Sequence, residues 1–130
     1  MIKFKYVILY VEDVEKSMNF YHQTFDIPIK FITPEKDYGE LLTGETSLSF
    51  ASISLASSNI KRGFLSSKSE EKPFGIELGF TTDDVEKLVE KAVKNGAVLY
   101  EDITVKPWGQ KVAYVKDPDH YLVEICTEIQ

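Results

Sequence analysis

One cysteine, Cys126, occurs in 130 residues. A lone thiol excludes an internal disulfide and any cysteine cluster for zinc. Histidine is nearly as scarce, with His22 and His120 alone. Positive charge is in deficit: 15 Lys and Arg stand against 21 Asp and Glu, for a net charge of −6. That balance lacks the basic stripe of a nucleic-acid binder. No apolar run approaches the ~20 residues of a membrane-spanning helix. The opening Met1-Ile2-Lys3-Phe4-Lys5 has neither the apolar core nor the cleavage site of a signal peptide, so the expected address is the cytoplasm. No glycine-rich phosphate cradle is present. These absences argue against nucleic acid and membrane as partners.

What is there is a repeat. Asp13-Val14-Glu15-Lys16 recurs 71 positions later as Asp84-Val85-Glu86-Lys87. Each copy follows an apolar run, Val7 to Val11 in the first and Ile76 to Phe80 in the second. Each also opens a helical pattern. A repeat at this spacing describes two copies of one supersecondary unit. Two such units are expected to bury a shared face, with the site in the cavity between them. Hydrophobic residues at 43% suffice for a core, so residues 1–130 read as a single domain. Module one spans 1–56, a linker 57–73, and module two 74–130.

Residues 3–11 alternate as a strand, with Val7, Leu9 and Val11 on one face and Tyr6, Ile8 and Tyr10 on the other. Asp13 is placed to cap a helix whose stripe is Val14, Met18, Tyr21 and Phe25. Ile27-Pro28 is expected to end it, because the residue before proline avoids the α region. Strands are predicted near 28–33, 38–43 and 47–55. The linker is rich in Ser, Lys and Glu and has no period. Gly63-Phe64-Leu65 interrupts it, either as a cover for the cavity mouth or, the favoured reading, as a single anchoring contact. In module two a strand is predicted over 74–82, with Glu77, Gly79 and Thr81 on one face. Asp83 or Asp84 caps a helix with the stripe Val85, Leu88, Val89 and Ala92. Asn95-Gly96 is a left-handed stop. Strands near 97–101, 110–116 and 121–127 complete a second β-α-β-β-β unit.

That order, with several local motifs, resembles the vicinal oxygen chelate superfamily of glyoxalases, extradiol dioxygenases and bleomycin-resistance proteins. The residues that carry the likeness are Val11 to Ser17 leading to Phe20-Tyr21, Asp84-Val85 with Asn95-Gly96-Ala97, and Pro107-Trp108-Gly109 through Tyr114. Asp117-Pro118-Asp119 followed by Glu124 completes the set. The resemblance implies an α+β fold in which two βαβββ modules form a curved mixed sheet, with helices on the convex side and the site on the concave side. Metal-dependent members place ligands on the first strand of each module and on the last strand of the second. The matching positions here are Tyr6, Glu77 and Glu124. The family's pattern has His or Gln at the first, often His at the second, and Glu at the third, so this chain keeps the third alone. The 47–55 strand, where relatives can add a ligand, offers no carboxylate or imidazole from Leu48 to Ser52.

A divalent transition ion needs imidazole or carboxylate ligands that converge. A phenol is a poor ligand because it keeps its proton to about pH 10. His22 falls on the outer side of the first helix and His120 in a turn where relatives usually have Gly. Glu77 and Glu124 would hold a metal weakly, so no metal or other cofactor is expected. Both carboxylates interrupt apolar strands, and in one half-dry cavity they would favour a cationic or hydrogen-bond-donating ligand, or else hold a proton for acid–base work. Tyr6, Tyr10, Trp108 and Tyr114 would add stacking and cation–π surface. Cys126 reads as a small strand hydrophobe without a base. The leading expectation is a non-enzymatic binder of a cationic or aromatic, antibiotic-like compound, similar to the metal-free bleomycin-resistance branch and homodimeric. Its ligand-binding residues would be Tyr6, Tyr10, Glu77, Trp108, Tyr114 and Glu124. The alternatives are a metal-dependent lyase or oxygenase of glyoxalase or dioxygenase type, and an interaction module with a vestigial cavity.

Overall fold

The computed structural model describes residues 1–129. The chain groups into two compact units, one of Met1–Ser66 and one from Ser67 onward. The first contains β1 (Tyr6–Val11), α1 (Val14–Phe25), β2 (Ile29–Ile32), β3 (Tyr38–Leu41), β4 (Ser47–Ser52) and α2 (Ile53–Asn59). Its sheet runs in the order β1-β4-β3-β2. β1 and β4 are parallel, with Tyr6 opposite Ser47 and Val11 opposite Ser52. The other two pairings are antiparallel. Leu9, Val11, Leu41, Leu48 and Phe50 are buried, as are Val14, Met18 and Tyr21 of α1. Tyr21 meets Phe50 at 5.5 Å between ring centroids. The close approach of α1 explains Gly39, since a Cβ there would collide with the Met18 sulfur.

Both ends of α1 are set locally. The Asp13 carboxylate accepts from the Lys16 amide at 3.1 Å, satisfying one of the free amides of the first turn. The helix stops at Phe25, before the predicted Ile27-Pro28 signal acts. Asp26 takes the left-handed conformation there, with φ 57°, which Asp tolerates better than most residues. His22 Nδ1 lies 2.7 Å from the Ile27 carbonyl oxygen and ties the exit to the last turn.

The second unit opens with a single 3-10 turn at Ser67–Ser69. It continues with β5 (Glu77–Thr81), α3 (Val85–Lys94), β6 (Val98–Val105), β7 (Lys111–Lys116) and β8 (Leu122–Cys126). The order β5-β8-β7-β6 copies the first unit. β5 and β8 are parallel, β8 and β7 antiparallel. Val112, Ala113, Val115, Val123 and Ile125 are buried, as are Val85, Val89 and Ala92 of α3, while Leu88 is half-buried. Asp84 caps α3 by accepting from the Lys87 amide at 3.1 Å. The helix ends as Asn95-Gly96 foretold. Gly96 has φ 114°, its amide reaches Val93 O at 3.1 Å, and the Ala97 amide reaches Ala92 O at 3.0 Å. That pair of bonds is a Schellman motif.

Several boundaries differ from the sequence reading, among them the strand expected over 3–11, which begins at Tyr6, and the one expected over 38–43, which ends at Leu41. The strand expected over 47–55 stops at Ser52, whose hydroxyl accepts from the Leu55 amide at 3.1 Å and starts α2. Part of the expected linker is therefore helical, because a serine at the strand end satisfies a first-turn amide. The strand expected over 97–101 extends to Val105 through two register shifts. The strand expected over 74–82 is trimmed to Glu77–Thr81. Among the described residues no helix is long and apolar enough to cross a membrane.

Gly96→Ala should lower the unfolding free energy by about 1–2 kcal/mol, the cost of a Cβ in the left-handed region. Gly75→Ala, where a Cβ meets nothing within 4 Å, should be nearly neutral. Urea unfolding of the two variants compares them directly.

Candidate functional site

The alternation of β5, β8 and β7 separates two faces in module two. One packs under α3. The other carries Glu77 and Gly79 from β5, Glu124 and Cys126 from β8, and Tyr114 from β7. The register puts Glu124 at the centre, with Gly79 directly opposite on one side and Tyr114 on the other. The Tyr114 hydroxyl donates to Glu124 Oε2 at 3.0 Å. The Cys126 thiol donates to Glu124 Oε1 at 3.2 Å. A Cβ at Gly79 would lie 3.7 Å from Oε1, so the missing side chain leaves that flank of the carboxylate uncovered.

This arrangement holds protons. Burial, and behind it the hydrogen bond and charge of Glu124, push the Tyr114 phenol up to about 12. The same causes push the Cys126 thiol up to about 11. Each group keeps its proton because ionising it would put a charge in a partly dry setting and, beyond that, a second negative charge beside Glu124. The exposed Glu77 carboxyl is raised by partial burial first and then by the Glu124 charge. Cys126, read from sequence as a plain hydrophobe, is a buried donor to the central acid. A thiol held protonated is a weak nucleophile. Each Glu124 oxygen keeps a free lone pair for a further donor.

Trp108 stands beside this face in the turn before β7 and is 62% exposed. Its indole donates to Gln110 Oε1 at 2.9 Å, and Gln110 Nε2 donates to the Thr127 carbonyl at 2.9 Å. Gln110 also bonds the Cys126 thiol and opposes the upward shift there. Sequence reasoning missed Gln110. Its position, two residues after Trp108 at the mouth of a strand, was the available signal.

In module one Tyr6 and Tyr10 share the β1 face turned away from α1. Tyr6 is exposed, and Tyr10 meets Phe64 edge-on at 4.8 Å, the single anchor expected of that linker residue. The same face holds a group that sequence reading overlooked. The Tyr38 hydroxyl donates to Glu40 Oε2 at 2.8 Å, and Glu40 lies opposite Ser49. Burial is the main cause that raises the Tyr38 phenol, a bond from Ser49 opposes it, and Glu40 adds to it. Glu40 interrupts an apolar strand much as Glu77 and Glu124 do, and that was its signal.

Of the six predicted ligand residues, Glu77, Tyr114 and Glu124 thus share one face of module two, with Trp108 in the adjoining turn. Tyr6 and Tyr10 share one face of module one. Among the described residues no group of three or more His, Cys, Asp or Glu could hold a metal ion. At the positions that the family resemblance assigns to metal ligands, Tyr6 and Glu77 supply no imidazole. His120 instead takes the left-handed position of its turn, φ 69°. The residues do not fit the metal group of the wider superfamily.

The glyoxalase-like domain family matches residues 4–130. The chain belongs to that family. YraH of Bacillus subtilis, an uncharacterized protein, is 30% identical over 128 residues, covering 95% of this chain and 97% of that one. A lactoylglutathione lyase of Arabidopsis thaliana is 32% identical over 133 residues, covering 95% of this chain. The chain spans 43% of that lyase's length. Among solved structures, a glyoxalase-related enzyme from Fulvimarina pelagi superposes with a TM-score of 0.82 at 21% identity, covering 98% of this chain and 89% of that one. A glyoxalase/bleomycin resistance protein/dioxygenase family enzyme from Burkholderia phytofirmans gives 0.81 at 23% identity, covering 99% and 100%. These likenesses establish the glyoxalase-like fold.

A raised folded pKa for Tyr114 and Cys126 means that the fold binds more protons than the unfolded chain above pH 9. The stability these groups confer is complete below their unfolded values and is lost as pH rises toward 11 and 12. Unfolding free energy should therefore fall across pH 9–11. Glu124→Gln, which removes the charge behind part of each shift, should flatten that fall. At pH 8 the thiol should resist iodoacetamide in the folded protein and react once urea unfolds it.

Proposed function

We propose that this protein binds a small cationic or aromatic compound without transforming it, in the manner of the bleomycin-resistance branch of its superfamily. The observation that carries the proposal is Glu124, a central carboxylate fixed by two protonated donors and left open over Gly79. Such a group suits a ligand that presents N–H donors, above all a cation, because charge-assisted bonds are the stronger ones. Glu77 adds negative charge beside it. Trp108 adds an exposed indole face on which an aromatic or cationic group can stack. Neither Cys126 nor Tyr114 is ionised at neutral pH, and neither has an imidazole beside it to act as base. That chemistry supports holding a ligand more than attacking one.

A second reading has its own observation, the 32% identity to a lactoylglutathione lyase. On that reading the chain would be a glyoxalase-type lyase with Glu124 as its base. Formation of S-lactoylglutathione, followed with and without added divalent metals, tests it. Turnover there would replace the binding proposal.

Benzamidinium, an aromatic cation with two parallel N–H donors, is the probe for the binding reading, and neutral benzamide is its control. Benzamidinium should raise the melting temperature and quench or shift the emission of Trp108, the single tryptophan. Glu124→Gln should weaken it by roughly tenfold, the scale of one hydrogen bond to a charged group. Trp108→Ala should cost ~1–3 kcal/mol of binding, the range for an anchor side chain. Equal responses to benzamidinium and benzamide would remove the cationic preference. No response to either would favour an interaction module with a vestigial cavity.

A further inference from the structure

Module one contains a carboxylate that the Glu124 site does not use. Glu40 on β3 is 7% exposed, a rare setting for an ionised side chain without a firm partner. Its Oε2 accepts from Tyr38 at 2.8 Å. The Lys30 ammonium is 3.7 Å from Oε1, beyond hydrogen-bond length. The Lys30 side chain is 51% exposed while that of Glu40 is 9% exposed, so one end of the pair is wet and the other dry. An exposed lysine held at such a distance contributes little. The buried acid therefore has one neutral donor and one loose cation.

The register gives this acid a counterpart in module two. Ser49 lies between Ile8 of β1 and Glu40 of β3, as Glu124 lies between Gly79 of β5 and Tyr114 of β7. Acid and hydroxyl have thus exchanged strands. Module two carries acid on its last strand and phenol beside it, whereas module one carries hydroxyl on its last strand and acid beside it. Ser49 is fully buried and shares a hydrogen bond with Ser47 at 2.9 Å. Each module therefore places a carboxylate on one of its two central strands, with a tyrosine hydroxyl bonded to it.

We propose that Glu40, framed by Tyr38 and Ser49, is a binding site for a primary ammonium group, and that Lys30 is the chain's own occupant of it in the free protein. A ligand ammonium would displace the Lys30 head group, which swings into water on its flexible stem, and would donate to Oε1. Tyr38 stays bonded to Oε2 and holds the carboxylate in place. The proposal is independent of the Glu124 reading, since its residues all lie in module one.

Ethylammonium chloride is the probe, with ethanol as the neutral control and sodium chloride to match ionic strength. Amide chemical shifts are read by heteronuclear NMR during titration of the whole chain. Ethylammonium should move the Tyr38, Glu40 and Ser49 amides, and ethanol should not. Lys30→Met removes the resident competitor from an exposed position and should tighten ethylammonium about two- to fivefold, the worth of one loose ion pair. Glu40→Gln keeps the shape and should abolish the response at those amides while leaving any response at Glu124 intact. An unchanged affinity in Lys30→Met overturns the proposal. So does a response at Tyr38 and Ser49 that survives in Glu40→Gln. If Glu40→Gln fails to fold, the Lys30→Met titration alone decides.

Discussion

The structure depends on one pairing, made twice. The first and last strands of each module lie side by side and parallel, β1 with β4 and β5 with β8. Parallel neighbours cannot be joined by a tight turn and need a long crossover. In each module a helix and two further strands supply it. The helix then covers one face of the sheet, and the other face collects the alternate residues of the strands. Every polar group of interest sits on such a face because the pleat alternates. A slip of one residue in β8 would send Glu124 under α3 and bring Val123 into its place. Burial of Val123 and Ile125 against the helix holds the register, so the hydrophobic core positions the acid.

Around each acid the fold places proton donors rather than bases. Tyr114 and Cys126 surround Glu124, and Tyr38 and Ser49 flank Glu40. A carboxylate in a dry setting needs donors, and neutral donors satisfy it without adding a second ion. The consequence runs in both directions. Burial first, and then the charge they satisfy, holds Tyr114 and Cys126 protonated, and the carboxylate is held in one orientation with a lone pair left over. Around Glu124 the arrangement is two neutral donors on one carboxylate. It differs from the metal-binding pattern of the superfamily through particular residues, since Tyr6 and Glu77 stand where imidazoles would be.

Much of the fold was legible along the chain. Helix caps are read locally: Asp13 and Asp84 act on amides three residues away, and Asn95-Gly96 forms its stop within one turn. The 71-residue repeat exposed the two modules because each copy obeys the same local rules. Ser52 was misread because a strand-ending serine and a helix-capping serine look alike until the hydroxyl finds its amide. Phe25 ended its helix at Asp26 rather than at Ile27-Pro28 for a similar reason. Asp26 could enter the left-handed region, and that option preceded the proline signal.

The sequence by itself determined the two β-α-β-β-β modules, the caps of their main helices, the family and the candidacy of Glu77, Tyr114 and Glu124, because periodicity and short motifs are properties of neighbours in the chain. Only the tertiary structure decided which side chains meet. Cys126 is two residues from Glu124 and was still read as a bystander. Glu40 and Ser49 are nine apart in sequence and were not joined until the β3–β4 register set them opposite each other. Lys30 reaches Glu40 across a strand pair that contains a bulge, and Gln110 links Trp108 to Thr127 across 17 residues. Hydrogen bonds and desolvation act over a few ångströms in space, whatever the separation in sequence. Strand register sets those distances, and the burial of the opposite face fixes the register.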